Sequence, residues 1–312
     1  LNPRARESML KIGALPPFLR LSCSRPTSCR QFLEAFASLL LLTLLSTAVT
    51  PQTAQGNPFA HKPVSYEQPY RPLAISHRGC MFECPENTLS AFAWAGRVGA
   101  DAIELDLRAT ADGEIVVIHD KTVNRTTNGS GAIRSLTLEE VRRLDAGAGQ
   151  KVPTMDEAFA FAQAHKLRLL LDLKDTKRVA PEAVYSALVR YDITDQVIIG
   201  ARSIEQLRAF KALDPDLYSM AFTKRISLID DYVDAGVDVI RLWARWLQQQ
   251  PELVTRVQTL GPRVWVTTGG LRGEALNRIL ELGVQGVITD YPEDILNLQP
   301  PIELPPALAA AD

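Results

Sequence analysis

The chain of 312 residues has only four cysteines and four histidines. Four cysteines cannot build a disulfide-dense scaffold. No block of one charge sign stands out, and 34 basic against 36 acidic residues give a net charge of −2. A nucleic-acid binder usually carries a basic patch or stripe, so no nucleic-acid partner is expected. The longest apolar run, Ala35 to Val49, has 15 residues, whereas a membrane-spanning helix needs about 20. The chain also lacks the G-x-G-x-x-G turn of a dinucleotide-binding sheet. What remains is ordinary: 46% apolar and 22% charged residues, the profile of a globular domain.

Six basic residues precede the apolar run, and small residues follow it at Thr53-Ala54-Gln55-Gly56. Basic flank, short apolar stretch and small residues together read as a signal segment. Residues 1–54 are therefore expected to be removed on export, giving a periplasmic or extracellular protein with no stable membrane insertion after cleavage; the alternative is an uncleaved N-terminal anchor. They take six basic and two acidic residues with them, so the net charge falls to −6. Residues 55–72 form a Pro-rich lead, 73–298 a single folded domain, and 299–312 a flexible tail.

Residues 73–298 alternate strand and helix. Short apolar runs begin at Leu73, Ala102, Leu167, Gln196, Leu217, Val237, Arg263 and Val284, each followed by a helical pattern. A further extended piece, Glu114 to His119, interrupts the second unit. Repeated βα units imply a parallel sheet. Eight of them in this length fit a closed (β/α)8 TIM barrel, whose chemistry lies at the C-terminal ends of the strands.

That rule selects the polar residues that matter. In the strand Ala102 to Arg108, period two puts Glu104 and Asp106 on one face and Ile103, Leu105 and Leu107 on the other. Two carboxylates pointing together into a barrel need a cation, or one must stay protonated. In the next strand, Asp172 and Lys174 share a face. Three acids at neighbouring strand ends suit one hard divalent cation, Mg²⁺ or Ca²⁺. His77 and His119 fall at strand ends beside them, and two imidazoles can serve as general base and general acid near neutral pH.

The ordered motifs His77-Arg78-Gly79, Pro85-Glu86-Asn87-Thr88, Glu104-x-Asp106, His119-Asp120, Arg125-Thr126-Thr127-Asn128-Gly129, Asp172-x-Lys174 and Thr289-Asp290-Tyr291-Pro292 resemble the glycerophosphodiester phosphodiesterase family. The resemblance covers residues 73–295. It implies metal-dependent hydrolysis of a small-molecule glycerophosphodiester to glycerol 3-phosphate and an alcohol. It maps the catalytic pair onto His77 and His119 and the metal ligands onto Glu104, Asp106 and Asp172. It places substrate contacts at Arg78, Lys174, Glu86 (in the PENT motif, ordering the site) and the aromatic Trp265. Two positions depart from the family pattern. Asp172 stands where Glu is usual, and Trp265-Val266-Thr267-Thr268 replaces an aromatic-Thr-x-Asn stretch. Asp172-x-Lys174 is also similar to sphingomyelinase D-type phospholipases, which would yield a cyclic or phosphorylated lipid product. An inactive binding barrel is the non-enzymatic alternative.

Cys80 and Cys84 are the cysteines left after signal removal. They flank three residues of the first βα loop, and an oxidising compartment would let them pair. Two thiolates do not make a zinc site beside such oxygen-rich surroundings.

Overall fold

A computed structural model describes residues 71–298. The expected signal segment, most of the Pro-rich lead and the tail lie outside the described residues. The strands are β1 (Leu73–Ser76), β2 (Ala102–Ala109), β3 (Ile115–Val117), β4 (Leu169–Leu173), β5 (Val197–Ala201), β6 (Ser219–Ala221), β7 (Val239–Trp243), β8 (Arg263–Gly269) and β9 (Gly286–Thr289). All but β3 pair in parallel in the order β1-β9-β8-β7-β6-β5-β4-β2, and β1–β2 pairing closes the ring. The result is the expected eight-stranded (β/α)8 barrel. β3, the interrupting piece, is antiparallel to the end of β2 and stands outside the ring.

Alternation sorts the side chains. Ile103, Leu105 and Leu107 of β2 join Ala91, Phe92, Ala95 and Phe159 in an outer core between strands and helices. Inward-pointing Ile75, Leu170, Ile198, Met220, Trp265 and Ile288 fill the barrel. Toward the strand ends the inward positions turn polar: Glu104, Asp106, Asp172 and Arg241 are all buried. The β2–β4 register sets Asp106 directly beside Asp172. The inward position next to Asp172 is Gly200, paired with it in register. A Cβ there would lie 2.4 Å from the Phe222 ring and 2.5 Å from the Leu171 carbonyl oxygen.

The helices are short, and four of those described open on a side-chain N-cap. Helix α1 (Leu89–Val98) starts at Thr88, whose hydroxyl accepts from Ala91 N–H, and ends at Gly99 with φ +82°. Helices α2 (Leu138–Arg143) and α3 (Met155–His165) each begin with a complete Thr/Glu capping box, an arrangement that satisfies two orphan N–H groups. Helices α4 (Pro181–Arg190), α5 (Ile204–Leu213) and α6 (Ile229–Asp234) follow β4, β5 and β6. A one-turn helix not expected from the pattern, α7 (Ala244–Leu247), caps β7 before α8 (Leu253–Thr259). Helices α9 (Gly273–Leu280) and α10 (Pro292–Leu296) complete the ring. Among the described residues, no helix is long and apolar enough to cross a membrane.

Candidate active site

A cavity of about 530 Å³ opens at the C-terminal ends of the strands. His77, Arg78, Glu104, His119, Asp172 and Lys174 line one side of it. Glu104, Asp106 and Asp172 are buried, and each offers one oxygen within 4.8 Å of the others. Three buried carboxylates with only oxygen donors fit one hard divalent cation. Burial, reinforced by Asp106, pushes the Glu104 carboxyl up to about 8. A cation bound there would favour its ionised form. Burial opposes the Asp106 charge as well, but Lys174, His119 and Arg78 outweigh it and hold the group below the usual carboxylate range.

The loop after β1 supplies most of the remaining fittings. Arg78 and Asn87 sit at φ +53° and +58°, a conformation that costs a non-glycine residue about 1 kcal/mol or more and that clusters at functional sites. The constraint is useful here. Arg78 N–H donates to Glu104 at 3.0 Å, and Asn87 Nδ2 donates to Asp106 at 2.7 Å. Lys174 Nζ lies 2.9 Å from Asp106 and 2.5 Å from Asp172.

Each histidine has a carboxylate behind it. His77 Nδ1 is 2.6 Å from Asp290 and His119 Nδ1 is 2.7 Å from Asp120. An ionised carboxylate only accepts, so each Nδ1 carries the donated proton and Nε2 is left for proton exchange. Burial disfavours the charged form of His77, but Asp290 and then Glu104 override it and raise its pKa above the usual imidazole value. For His119 burial prevails, and its pKa is lowered.

Glu86 does not line the cavity. One oxygen accepts from Arg78 Nη1 at 2.9 Å, and both accept from Arg125, at 2.6 and 2.8 Å. Arg125 also grips Asp120. A chain of ion pairs thus runs from Arg78 through Glu86, Arg125 and Asp120 to His119. Both Glu86 oxygens are engaged by guanidinium groups, an arrangement that suits the ordering part of its expectation rather than direct substrate contact.

The substrate contact expected at Trp265 does not fit its place in the fold, because the residue does not line the cavity. Its side chain is fully buried in the barrel core, packed so close to Gly286 that a Cβ there would lie 2.8 Å from the indole. The aromatic residues that line the cavity are Phe222 and Trp243. The Cys80–Cys84 bridge is not formed, and both thiols are free. Cys80 Sγ instead accepts from Cys84 N–H at 3.1 Å and donates to Glu83 at 3.3 Å. Burial pushes this thiol up to about 11.

Several site residues escaped the sequence reading. Arg202 clasps Asp172 through Nε and Nη2 at 2.5 and 2.6 Å. Arg241 and Arg245 lie across the cavity with Phe222 and Trp243. Asp290 was visible as part of a motif, but its partner His77 is 213 positions away.

Residues 77–294 match the model of the glycerophosphoryl diester phosphodiesterase family. The chain belongs to that family. It is an enzyme, a phosphoric diester hydrolase. It is 35% identical over 237 residues to a glycerophosphodiester phosphodiesterase of Caldanaerobacter subterraneus, covering 72% of this chain and 97% of that one. A glycerophosphodiester phosphodiesterase of Bacillus subtilis is 30% identical over 285 residues, covering 82% and 94%. Among solved structures, a glycerophosphodiester phosphodiesterase from Agrobacterium tumefaciens superposes with a TM-score of 0.63 at 25% identity. The superposition covers 73% of this chain and 100% of that one.

Proposed function

We propose that the chain hydrolyses glycerophosphodiesters to glycerol 3-phosphate and an alcohol. In this reading Glu104, Asp106 and Asp172 hold one divalent cation, Mg²⁺ or Ca²⁺, and His77 and His119 move the protons. One observation carries the reading: two carboxylate-backed imidazoles and a buried acidic triad meet in one cavity. The bound cation would neutralise negative charge building on the phosphoryl oxygens. Arg78 and Lys174 add fixed positive charge beside it. One imidazole takes the proton of the attacking oxygen, from water or from the substrate's adjacent hydroxyl; in the second case the first product is a cyclic phosphate, which water then opens to glycerol 3-phosphate with the two imidazoles exchanging roles. The P–O bond to the alcohol breaks, and the other imidazole protonates the departing oxygen. The opposite shifts, upward for His77 through Asp290 and downward for His119 through burial, favour His119 as the base and His77 as the acid. The leader-like residues 1–54 support export, and the substrate is then met outside the cytoplasm.

The test is direct. Purified protein is given deacylated phospholipid, and glycerol 3-phosphate is measured before chelation, after chelation, and after Mg²⁺ or Ca²⁺ is restored. Release that stops with chelator and returns with one cation is expected. A cyclic or phosphorylated lipid formed from intact lipid, with no glycerol 3-phosphate, would favour the sphingomyelinase D-type reaction instead.

A further inference from the structure

The cations of the cavity are not equally provided for. Arg78 pairs with Glu86 and approaches Asp106. Lys174 pairs with Asp106 and Asp172, and Arg202 with Asp172. Arg241 is different. It is only 3% exposed, yet it lines the cavity, and among the described residues its Nε and Nη1 have no hydrogen-bonding partner. Its guanidinium lies 3.9 Å from the centre of the Trp243 ring and 5.1 Å from that of Phe222. Arg245, exposed at the same wall, sits 5.1 Å over Trp243 and likewise has no carboxylate partner among the described residues.

Burying an unpaired charge is expensive. Aromatic faces recover part of that cost, but they leave Nε and Nη1 unfilled, and burial weakens the guanidinium's hold on its proton. An anion seated there would answer both. In the ring order, β7 stands four strands from β2 and β6 four strands from β1. Arg241 therefore faces Glu104 and Asp106 across the barrel, and Phe222 faces the strand that ends in His77. A phosphodiester held at the triad by Arg78 and Lys174 would extend one ester arm toward this wall. The Trp243 ring, a good seat for a quaternary ammonium, already has two guanidinium groups over it.

We propose that Arg241, assisted by Arg245, is an anion subsite for the head-group arm, so that the chain prefers glycerophosphodiesters whose alcohol carries a second phosphate or a carboxylate over those of choline or ethanolamine. The proposal rests on the glycerophosphodiester reading of the same cavity.

The experiment has two arms. In the first, kcat/KM is measured for glycerophosphoglycerol, for the same diester with a phosphate on its second glycerol, for glycerophosphoserine and for glycerophosphocholine. The phosphorylated diester should exceed glycerophosphoglycerol by about 10- to 100-fold, the worth of a charge-assisted hydrogen bond. Glycerophosphoserine tells whether a carboxylate suffices. In Arg241→Gln the ratio should fall below about threefold, and in Arg245→Gln, at an exposed position, it should fall part-way. A wild-type ratio near one overturns the subsite. So does an Arg241→Gln variant that loses equally on every substrate, since Arg241 would then act on the shared phosphodiester.

The second arm needs no turnover. Calorimetry compares glycerol 1,3-bisphosphate with glycerol 3-phosphate, and wild type should bind the former at least about tenfold tighter, a difference abolished in Arg241→Gln. If no glycerophosphodiester is hydrolysed, the reaction reading fails, and this binding difference alone upholds or overturns the subsite. If Arg241→Gln does not fold, the wild-type ratios and Arg245→Gln decide.

Discussion

Replacing Arg202 with methionine tests how the acidic cluster is held together. Asp172 has 2% of its side chain exposed and Arg202 23%. Removing one partner of a buried ion pair costs roughly 3–5 kcal/mol, because the other charge is stranded. Two features lower the figure here. Arg202 is partly wetted, and Lys174 remains 2.5 Å from Asp172. A loss of about 2–3 kcal/mol is therefore expected. In a domain of this size each kcal/mol moves Tm by roughly 2–4 °C, so Tm should drop by about 4–12 °C. The measurement is a double-mutant cycle on chelator-treated protein: Arg202→Met, Asp172→Asn and the pair, by thermal and urea unfolding. Losing both charges should be less harmful than the two single losses added, by at least about 1 kcal/mol. Added Mg²⁺ or Ca²⁺ should raise Tm more in Arg202→Met than in wild type, since a bound cation replaces the missing charge. A drop below about 2 °C, or strict additivity, refutes the claim that Arg202 holds Asp172 in place.

Four further outcomes are expected. Glu104→Ala should lower the metal content of purified protein from one ion per chain toward none, and unchanged stoichiometry would reject the triad as the site. His77→Ala and His119→Ala should each lower kcat by about 10²–10⁴-fold. In wild type kcat/KM should be bell-shaped in pH. It falls on the acid side as the base His119 protonates, at a pH below the usual imidazole value, and on the alkaline side as the acid His77 deprotonates, above it. Asp290→Asn should move the alkaline limb to lower pH, because His77 loses the carboxylate that raises its pKa; a limb that stays put would deny Asp290 that role.

The barrel was legible because each unit repeats the same physical problem. An apolar strand must be buried on both faces, and a capped amphipathic helix must cover it. Met155–His165 and Ile204–Leu213 form helices where apolar residues recur at helical spacing. Boundaries slipped where local pattern and tertiary packing disagree. The apolar run from Ile226 begins as a 3-10 turn, and α6 starts only at Ile229. Glu104, Asp106 and Asp172 were legible for a different reason: a charge inside an apolar strand has no bland explanation. Arg202, one residue past the end of β5, lies outside such a pattern, and its partner comes from another strand. Asp290 reaches His77 because β9 closes onto β1, a neighbour relation that sequence distance hides.

Trp265 and Arg241 show where the strand rule stops. Period two places both inside the barrel, and both are inside. What it does not supply is depth, which depends on how the strands are staggered around the ring. Trp265 lies among Leu170, Met220 and Ile288 in the packed interior, and Gly286 beside it leaves room for the indole. Arg241 lines the open cavity, although the two residues are register partners on adjacent strands. An aromatic at the packed level is core, whatever its motif suggests, and a guanidinium at the open level is a binding group. Val239-Ile240-Arg241-Leu242-Trp243 repeats the pattern of the Glu104 strand, a charge set between apolar neighbours. Ile240 and Leu242 face the helices, so Arg241 must point inward, where a charge needs a partner. For Glu104 the proposed partner is a cation. For Arg241 it is an anion, and with the protein's nearby carboxylates already engaged elsewhere, the substrate is what remains to supply it.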